Sequence, residues 1–162
     1  MNKVETYQYL KNHQINFEVT EHEAVFNMHE LVSIELPYPK WEAKNLFVRD
    51  DKKRNYYLIT VKGDKRVDLR DFRKQQSLRA LSFASADDLL KIMGLTPGSV
   101  TPLGILNDTE CKVHFYLDME FAGNIIGIHP NDNTATIWLQ ADKLMHLIKE
   151  HGNEAEFVAL HN

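Results

Sequence analysis

Apolar residues recur at helical spacing, or a helix-capping signal appears, in five stretches of the chain. They predict helices over residues 2–12, near Phe26 to Ile34, over Asp68 to Gln76, from Ser85 to Gly94 and from Ala141 to Gly152. The stretch after Ser85 has the clearest signal, because serine is a favoured N-cap and Asp88 follows three residues later, as in a capping box. Gly94 suits the end of that helix, since glycine readily adopts the left-handed conformation found there.

Alternation of apolar and polar residues, or a run of β-branched and aromatic residues, predicts strands elsewhere. The strands are Ile15 to Val19, LFVR (46–49), YYLITV (56–61), Val113 to Leu117, NIIGIH (124–129), TATIWL (134–139) and EFVAL (156–160). The polar connector DDKKRN suits a hairpin between the second and third strands, and PNDN suits a turn between the fifth and sixth. Because strands and helices do not alternate regularly, we predict an α+β fold around a curved sheet rather than a doubly wound parallel sheet.

Two proline-containing segments interrupt these patterns. ELPYPK (35–40) breaks regular structure, because proline lacks an amide donor and restricts the residue before it. GLTPGSVTPLG (94–104) contains three glycines and two prolines in 11 residues. We predict a loop there with unusually exposed backbone amides, and its glycines would let the backbone approach a ligand closely.

Length and composition indicate one ordinary globular domain over residues 1–162, with 43% apolar and 26% charged residues. The sequence has no run of about 18 apolar residues for a membrane span, and its first residues lack a signal-peptide pattern, so we predict a cytoplasmic location without membrane contact. The single cysteine, Cys111, excludes an intrachain disulfide and a cysteine zinc cluster. Its strand-like neighbourhood predicts a buried thiol rather than a nucleophile.

Positive charge is concentrated in the middle of the chain. Residues 40–79 contain 13 of the 19 lysines and arginines and 6 acidic residues, a net charge of +7, which leaves −11 on the rest. Such a patch is either a footprint for phosphate groups or a set of solvated strand edges and helix faces. The charge pattern by itself leaves both interpretations open.

Common catalytic motifs are missing from the sequence. It has no Walker loop, GxGxxG, HExxH or nucleophile elbow. Its eight histidines are scattered; His22 and His29 each precede a glutamate but lie seven residues apart, which is not a metal-ligand spacing. The sequence therefore predicts no metal and no cofactor, and any enzyme built on it would use neither a metal nor a covalent nucleophile.

Three segments carry a resemblance to a known family: AKNLFVRD (43–50) with YYLITVKGDKRVDL (56–69), GLTPGSVTPLG (94–104) and IGIHPNDNTATIWL (126–139). In this order and spacing they resemble the YbaK/ProX family, the prolyl-tRNA synthetase-associated editing domain. The resemblance implies a single editing domain with a curved, mixed, mostly antiparallel sheet or partial barrel, flanked by helices. It also implies an aminoacyl-tRNA deacylase that acts in trans on mischarged proline tRNA.

The fuller match is to the ProX branch, which implies that the amino acid removed is alanine. A synthetase pocket shaped for proline cannot strongly reject smaller alanine, since a missing methylene is worth only about 1–3 kcal/mol, so a second sieve is expected. The implied partners are tRNA and prolyl-tRNA synthetase. Two alternatives stay open: the same reaction on cysteine or serine, and a non-catalytic module that binds tRNA or a synthetase.

The resemblance also assigns site residues. The implied catalytic residues are Lys44, which would hold the terminal phosphate or ribose and stabilise negative charge, and Gly98, whose loop would offer amides to an oxyanion. The implied substrate-binding residues are Asn45, Ser99, Val100, Thr101, Pro102 and His129. Candidates for tRNA phosphates are Lys62, Lys65, Arg66 and Arg70. Each also has an ordinary structural interpretation, as a solvated charge, a strand cap, a tight turn or a hydrogen-bonded histidine.

Overall fold

Four α-helices and eight β-strands form the regular structure within residues 1–24 and 36–160, the part of the chain that this computed structural model describes. The helices are α1 (Lys3–Asn12), α2 (Leu69–Gln75), α3 (Ala86–Met93) and α4 (Ala141–His151). The strands are β1 (Glu18–Glu21), β2 (Ala43–Asp50), β3 (Tyr56–Lys62), β4 (Leu81–Phe83), β5 (Val113–Asp118), β6 (Ile125–Ile128), β7 (Ala135–Gln140) and β8 (Ala155–Val158). The helix predicted near Phe26 to Ile34 lies outside the described residues.

The strands form two sheets, of five strands in the order β4-β2-β3-β5-β8 and of three strands in the order β1-β7-β6. In the larger sheet β2 is antiparallel to β3 and β4, whereas β3, β5 and β8 run parallel. The smaller sheet is antiparallel throughout. An isolated parallel bridge between Glu42 and Gly127 joins the two sheets. This arrangement confirms the predicted α+β fold with mixed, mostly antiparallel pairing.

Local signals explain most helix ends. Asn2 and Glu5 form a full capping box at α1, with Asn2 Oδ1 accepting from Glu5 N at 2.8 Å and Glu5 Oε1 accepting from Asn2 N at 3.0 Å. At α3, Ser85 caps the helix as predicted, but the Asp88 carboxylate accepts a hydrogen bond from the Tyr56 hydroxyl at 3.2 Å rather than completing the box. The predicted stop at Gly94 is confirmed, with φ of 66°.

Two apolar cores lie on opposite faces of the five-stranded sheet. The first core contains Phe47, Leu58 and Phe115, and it packs the sheet against α1, α3, α4 and the smaller sheet. The second core contains Val48 and Ile59 and is covered by α2. Since successive side chains of a strand point to opposite faces, neighbouring residues of β2 belong to different cores.

The predicted exposed loop at 94–104 is wrong in its second half. It forms two 3-10 helices, Pro97–Ser99 and Pro102–Asn107. Residues 101–106 are all buried, because the second 3-10 helix packs into the first core through Leu103 and Ile105. Each helix begins at a proline, whose missing amide costs nothing at that position.

The predicted burial of Cys111 is also wrong. Cys111 lies in the turn before β5, with φ of 52°, and its side chain is exposed. Its thiol donates to the His151 carbonyl at 3.8 Å. The sequence around it resembles a strand, but the strand begins only at Val113.

Candidate functional site

Asn45 connects β2 to the 3-10 segment at 97–101. Its side chain points to the first core, as Phe47 does two residues later. Asn45 Oδ1 accepts from the buried Thr60 hydroxyl at 2.6 Å, and Asn45 Nδ2 donates to the Val100 carbonyl at 3.3 Å. Both polar ends of the amide are therefore engaged, and Asn45 fixes the position of the segment.

Thr101 extends this link to the end of β6. Its hydroxyl donates to the His129 carbonyl at 2.6 Å and accepts from the Leu103 amide at 3.4 Å. Thr101 has no exposed surface, so both contacts are shielded from water. Asn45 and Thr101 thus bring together β2, the 3-10 segment and His129, which belong to the three segments that carry the family resemblance.

His129 is held as a neutral imidazole. Its Nδ1 lies 2.9 Å from the Ala135 carbonyl, which can only accept, so Nδ1 carries a hydrogen and, in the neutral ring, the lone pair is on Nε2. Burial lowers the pKa of His129 below its usual value; the Ala135 hydrogen bond opposes this shift and the nearby His22 adds to it. The two imidazole rings meet edge to face, with centroids 6.1 Å apart. His129 is therefore suited to accept a hydrogen bond near neutral pH.

The implied pocket residues at 98–102 differ in exposure. Gly98 and Ser99 lie half-buried in the first 3-10 helix, where the Ser99 amide donates to the Thr96 carbonyl at 2.9 Å. Val100 is half-buried, and Pro102 is buried in the second 3-10 helix. The part of this segment that solvent reaches is therefore its first half, around Gly98.

The Lys44 side chain points to the other face of the sheet, beside the second core. Its strand partner is Val61, a residue of that core, and its ammonium donates a hydrogen bond to the Lys65 carbonyl. Burial lowers the pKa of Lys44, and the positive charge of Arg66 lowers it further, while Asp64 acts in the opposite direction. The structure therefore separates Lys44 from Asn45 by the thickness of the sheet, although they are adjacent in sequence.

Lys65 is enclosed, which contradicts the predicted phosphate contact for this residue. Only 6% of Lys65 is exposed. Its ammonium donates to Asp118 Oδ2 at 2.5 Å and to the Leu160 carbonyl at 2.9 Å, and it also pairs with Glu120. An ammonium with these partners cannot reach a phosphate of a bound tRNA.

The other candidate tRNA contacts are closer to solvent. Lys62 is half-buried, with its ammonium 4.9 Å from the Trp41 ring centroid and 3.8 Å from Glu120 Oε2. Arg66 and Arg70 are exposed. Arg70 lines a surface groove on α2 together with Arg73, three residues further along the helix.

Two further residues, Thr60 and Arg73, are not among those expected from the family resemblance. Thr60 is a polar residue inside the otherwise apolar run YYLITV, which is a signal for a buried hydrogen bond. Arg73 follows Arg70 at a helical spacing that places both on one side of α2. Within residues 1–24 and 36–160 there is no group of three histidine, cysteine or acidic side chains that could hold a metal ion. No helix in those ranges is long and apolar enough to cross a membrane.

Comparison with known proteins agrees with the resemblance. Residues 22–147 match the aminoacyl-tRNA editing domain. The prolyl-tRNA editing protein ProX of Acetoanaerobium sticklandii is 36% identical over 148 residues, which cover 91% of this chain and 90% of that protein. The prolyl-tRNA synthetase associated domain-containing protein 1 of Mus musculus is 32% identical over 145 residues, covering 86% of this chain and 85% of that protein.

Solved structures show the same fold. One, described as a candidate trans-editing enzyme for prolyl tRNA synthetase, has a TM-score of 0.70 at 20% identity and covers 100% of this chain and 98% of the other. A scaffold protein from computational epitope grafting has a TM-score of 0.74 at 20% identity, covering 99% of this chain and 96% of the other. At this identity the two structures support the architecture alone.

Proposed function

The chain belongs to the aminoacyl-tRNA editing domain family, the YbaK/ProX family, and on this premise we propose that it is a trans-editing deacylase of mischarged proline tRNA. The observation that carries the proposal is the junction made by Asn45 and Thr101. Their hydrogen bonds join β2, the 3-10 segment and His129 around one place. Residues far apart in sequence are thus fixed at one place, through the amide of Asn45, the hydroxyl of Thr101 and the backbone carbonyl of His129.

The proposed reaction is ester hydrolysis. A water molecule adds to the carbonyl carbon of the aminoacyl ester, and the bond from that carbon to the ribose oxygen then breaks. The products are the free amino acid and a tRNA with a free terminal hydroxyl. Negative charge develops on the carbonyl oxygen, and one well-placed amide donor contributes about 10²–10³ to the rate of such reactions. We assign this role to the backbone around Gly98, the half-buried part of the 3-10 segment.

Asn45 and His129 take different parts in this proposal. Because both ends of the Asn45 amide are already bonded within the protein, Asn45 acts by holding the segment that contains Gly98. His129 lines the amino-acid pocket and accepts a hydrogen bond through Nε2, since Nδ1 is bonded to the Ala135 carbonyl.

Lys44 binds the terminal phosphate of the acceptor end in this proposal. An ammonium has three hydrogens, and the Lys65 carbonyl takes one of them. The positive charge of Arg66 lies close enough to lower the pKa of Lys44. Lys44 and Arg66 together outweigh the single negative charge of Asp64, and a positive site of this kind attracts the phosphates that tRNA supplies.

We further propose alanine as the amino acid removed, prolyl-tRNA synthetase as the enzyme whose errors are corrected, and the cytoplasm as the location. The argument for alanine is one of size. A synthetase site for proline admits smaller amino acids, and a second site that is too small for proline can hydrolyse them without attacking the correct product. Cysteine and serine are the competing substrates.

The test uses the full chain and proline tRNA charged in separate preparations with alanine, cysteine, serine or proline. Release of the labelled amino acid is measured against spontaneous hydrolysis. We expect fast release of alanine and none of proline. Faster release of cysteine or serine would replace the substrate while leaving the reaction class intact. Binding of tRNA without release of any amino acid would identify a non-catalytic module and reject the proposed activity.

A further inference from the structure

The buried ammonium of Lys65 has a complete set of partners. It contacts Asp118 Oδ2 at 2.5 Å, the Leu160 carbonyl at 2.9 Å and the Glu120 carboxylate. Three acceptors match the three hydrogens of an ammonium group. Lysine is rarely this buried unless it is paired, and here 6% of Lys65 and 1% of Asp118 are exposed.

Stability alone does not explain this arrangement. Removing two charges from water costs about as much as their attraction returns, so apolar residues of similar size often stabilise a core as well or better. Burial alone would lower the pKa of Lys65, but the hydrogen bonds and charges of Asp118 and Glu120 outweigh it and raise that pKa above its usual value. Lys65 therefore stays protonated, and its hydrogen bonds hold the side chain in one geometry.

The fixed side chain determines where the Lys65 backbone lies. Asp118 is the last residue of β5, and Leu160 follows the last strand, β8, so the ammonium is attached to two parts of the protein core. At the main chain, the Lys65 amide donates to the Lys62 carbonyl at 3.0 Å. The side-chain contacts and this backbone hydrogen bond together fix the Lys65 residue. Its carbonyl accepts a hydrogen bond from the Lys44 ammonium.

We propose that Lys65 is a positioning residue, whose buried ion pair with Asp118 holds its carbonyl group so that the Lys44 ammonium is aimed at the substrate phosphate. A lysine side chain has four flexible methylene groups. Without a fixed acceptor such as the Lys65 carbonyl, the Lys44 ammonium would occupy many positions. The importance of the aim for catalysis rests on the proposed function. The geometric statement, that the ion pair fixes the Lys44 ammonium, does not.

The test variant is the double substitution Lys65→Met with Asp118→Asn. It removes one charge of each sign, so the net charge beside Lys44 does not change. The carboxamide introduced at position 118 is neutral and isosteric with the carboxylate it replaces. The variant therefore leaves neither member of the pair as a lone charge in the core, which is the usual cause of unfolding after such changes. The matched control is Arg79→Met with Asp51→Asn, which removes an exposed ion pair of 2.5 Å on the surface.

The first measurement follows the Lys44 ammonium by NMR titration of the Cε resonances of isotope-labelled, chemically unmodified lysines, assigned with Lys44→Ala, and it needs no substrate. We expect the pKa of Lys44 to rise toward that of an ordinary lysine in the test variant, because a released ammonium moves into water. The control variant should leave it unchanged. A folded test variant with an unaltered Lys44 titration overturns the proposal. If the variant does not fold, Lys65→Arg, which keeps the charge but alters its geometry, is titrated in the same way with the same two outcomes.

The second measurement is a double-mutant cycle on deacylation with Lys44→Ala. We expect the test variant to lower kcat/KM about tenfold in the wild-type background and to have no further effect when Lys44 is already absent. Equal loss in both backgrounds would show that Lys65 acts independently of Lys44 and would overturn the proposal. Should the wild-type protein release no amino acid, the proposed function fails while the titration still decides the positioning role.

Discussion

The two faces of strand β2 hold their polar side chains by different kinds of contact. On the Asn45 face, the contacts are made by neutral groups, the amide of Asn45 and the hydroxyls of Thr60 and Thr101. On the Lys44 face, the Lys44 ammonium donates a hydrogen bond to the carbonyl of Lys65, and the Lys65 side chain forms a buried ion pair with Asp118. One sheet thus separates a hydrogen-bonded site from a charged site.

Under the proposed function, the Asn45 face would receive the aminoacyl ester and the Lys44 face the terminal phosphate of the tRNA. The ester and the amino acid are recognised by short-range hydrogen bonds and shape, which lose strength steeply with misplacement. A phosphate is attracted over a longer range, and this attraction falls as salt rises. We therefore expect changes on the Lys44 face to depend on ionic strength and changes on the Asn45 face to depend on it little.

The largest effect is expected for Lys44→Ala, which removes the charged site. We expect kcat/KM for alanine release to fall about 10²–10³-fold, the usual cost of losing one well-placed charge or donor, and the salt dependence of tRNA binding to become weaker. The control is Lys91→Ala, an exposed lysine in the last turn of α3, which should leave both quantities unchanged. Wild-type turnover in the Lys44 variant would show that Lys44 has no role in the reaction.

A smaller effect is expected for Asn45→Ala, on the neutral face. It leaves the fully buried Thr60 hydroxyl and the Val100 carbonyl without their partner. Buried groups that lose a partner cost stability, so the free energy of unfolding should fall by about 2 kcal/mol in a urea titration. Deacylation should fall as well, but with an unchanged salt dependence. An equal loss of salt dependence in both variants would end the distinction between the faces.

The elements whose signals are local were predictable from the sequence. The alternating runs became β2, β3, β5, β6 and β7, and the hairpin at DDKKRN is closed by Asp50, whose carboxylate accepts from the Arg54 amide at 2.9 Å. The parallel pairing of β3 with β5 was not predictable. It joins residues more than 50 positions apart, and alternation along a strand says nothing about its neighbour.

The site shows the same limit more sharply. Resemblance to a family pointed to Lys44 and Asn45 together, but period-two geometry sends adjacent strand residues to opposite faces, and a strand assignment starting at Leu46 did not include them. Lys65 looked like a surface cation because most lysines are exposed. Its partner, Asp118, is 53 residues away, so no local pattern announces the ion pair. The resemblance implies that Thr101 is a pocket residue, but its hydrogen bond to the His129 carbonyl depends on the three-dimensional fold.

Thr101→Val tests whether the neutral face works as a connected unit. Valine keeps the shape of threonine but removes the hydrogen bond of 2.6 Å to the His129 carbonyl. We expect a loss of about 1 kcal/mol in the free energy of unfolding and a higher KM with a smaller change in kcat, because the pocket wall is loosened. Thr96→Val is the matched control, since Thr96 is exposed in the same segment and its side chain makes no capping bond. Equal effects of the two substitutions would mean that the link to His129 is dispensable.

The smallest effect is expected in the pH dependence of stability, and it comes from His129. Burial lowers the pKa of this residue in the folded protein, against opposition from the Ala135 hydrogen bond and from Asp132, and with a further decrease from His22. On acidification the unfolded chain therefore takes up the proton first. The His129 contribution to the free energy of unfolding is fully present above the ordinary histidine pKa of about 6.5 and is lost as pH falls through the lower pKa of the folded state.

Urea titrations of wild type and His129→Phe between pH 7.5 and 5 should show a steeper loss of stability for wild type, since phenylalanine keeps a ring but cannot be protonated. Because the other histidines are common to both proteins, parallel curves would mean that His129 titrates as it does in the unfolded chain, and the neutral imidazole assigned to this face would then be wrong.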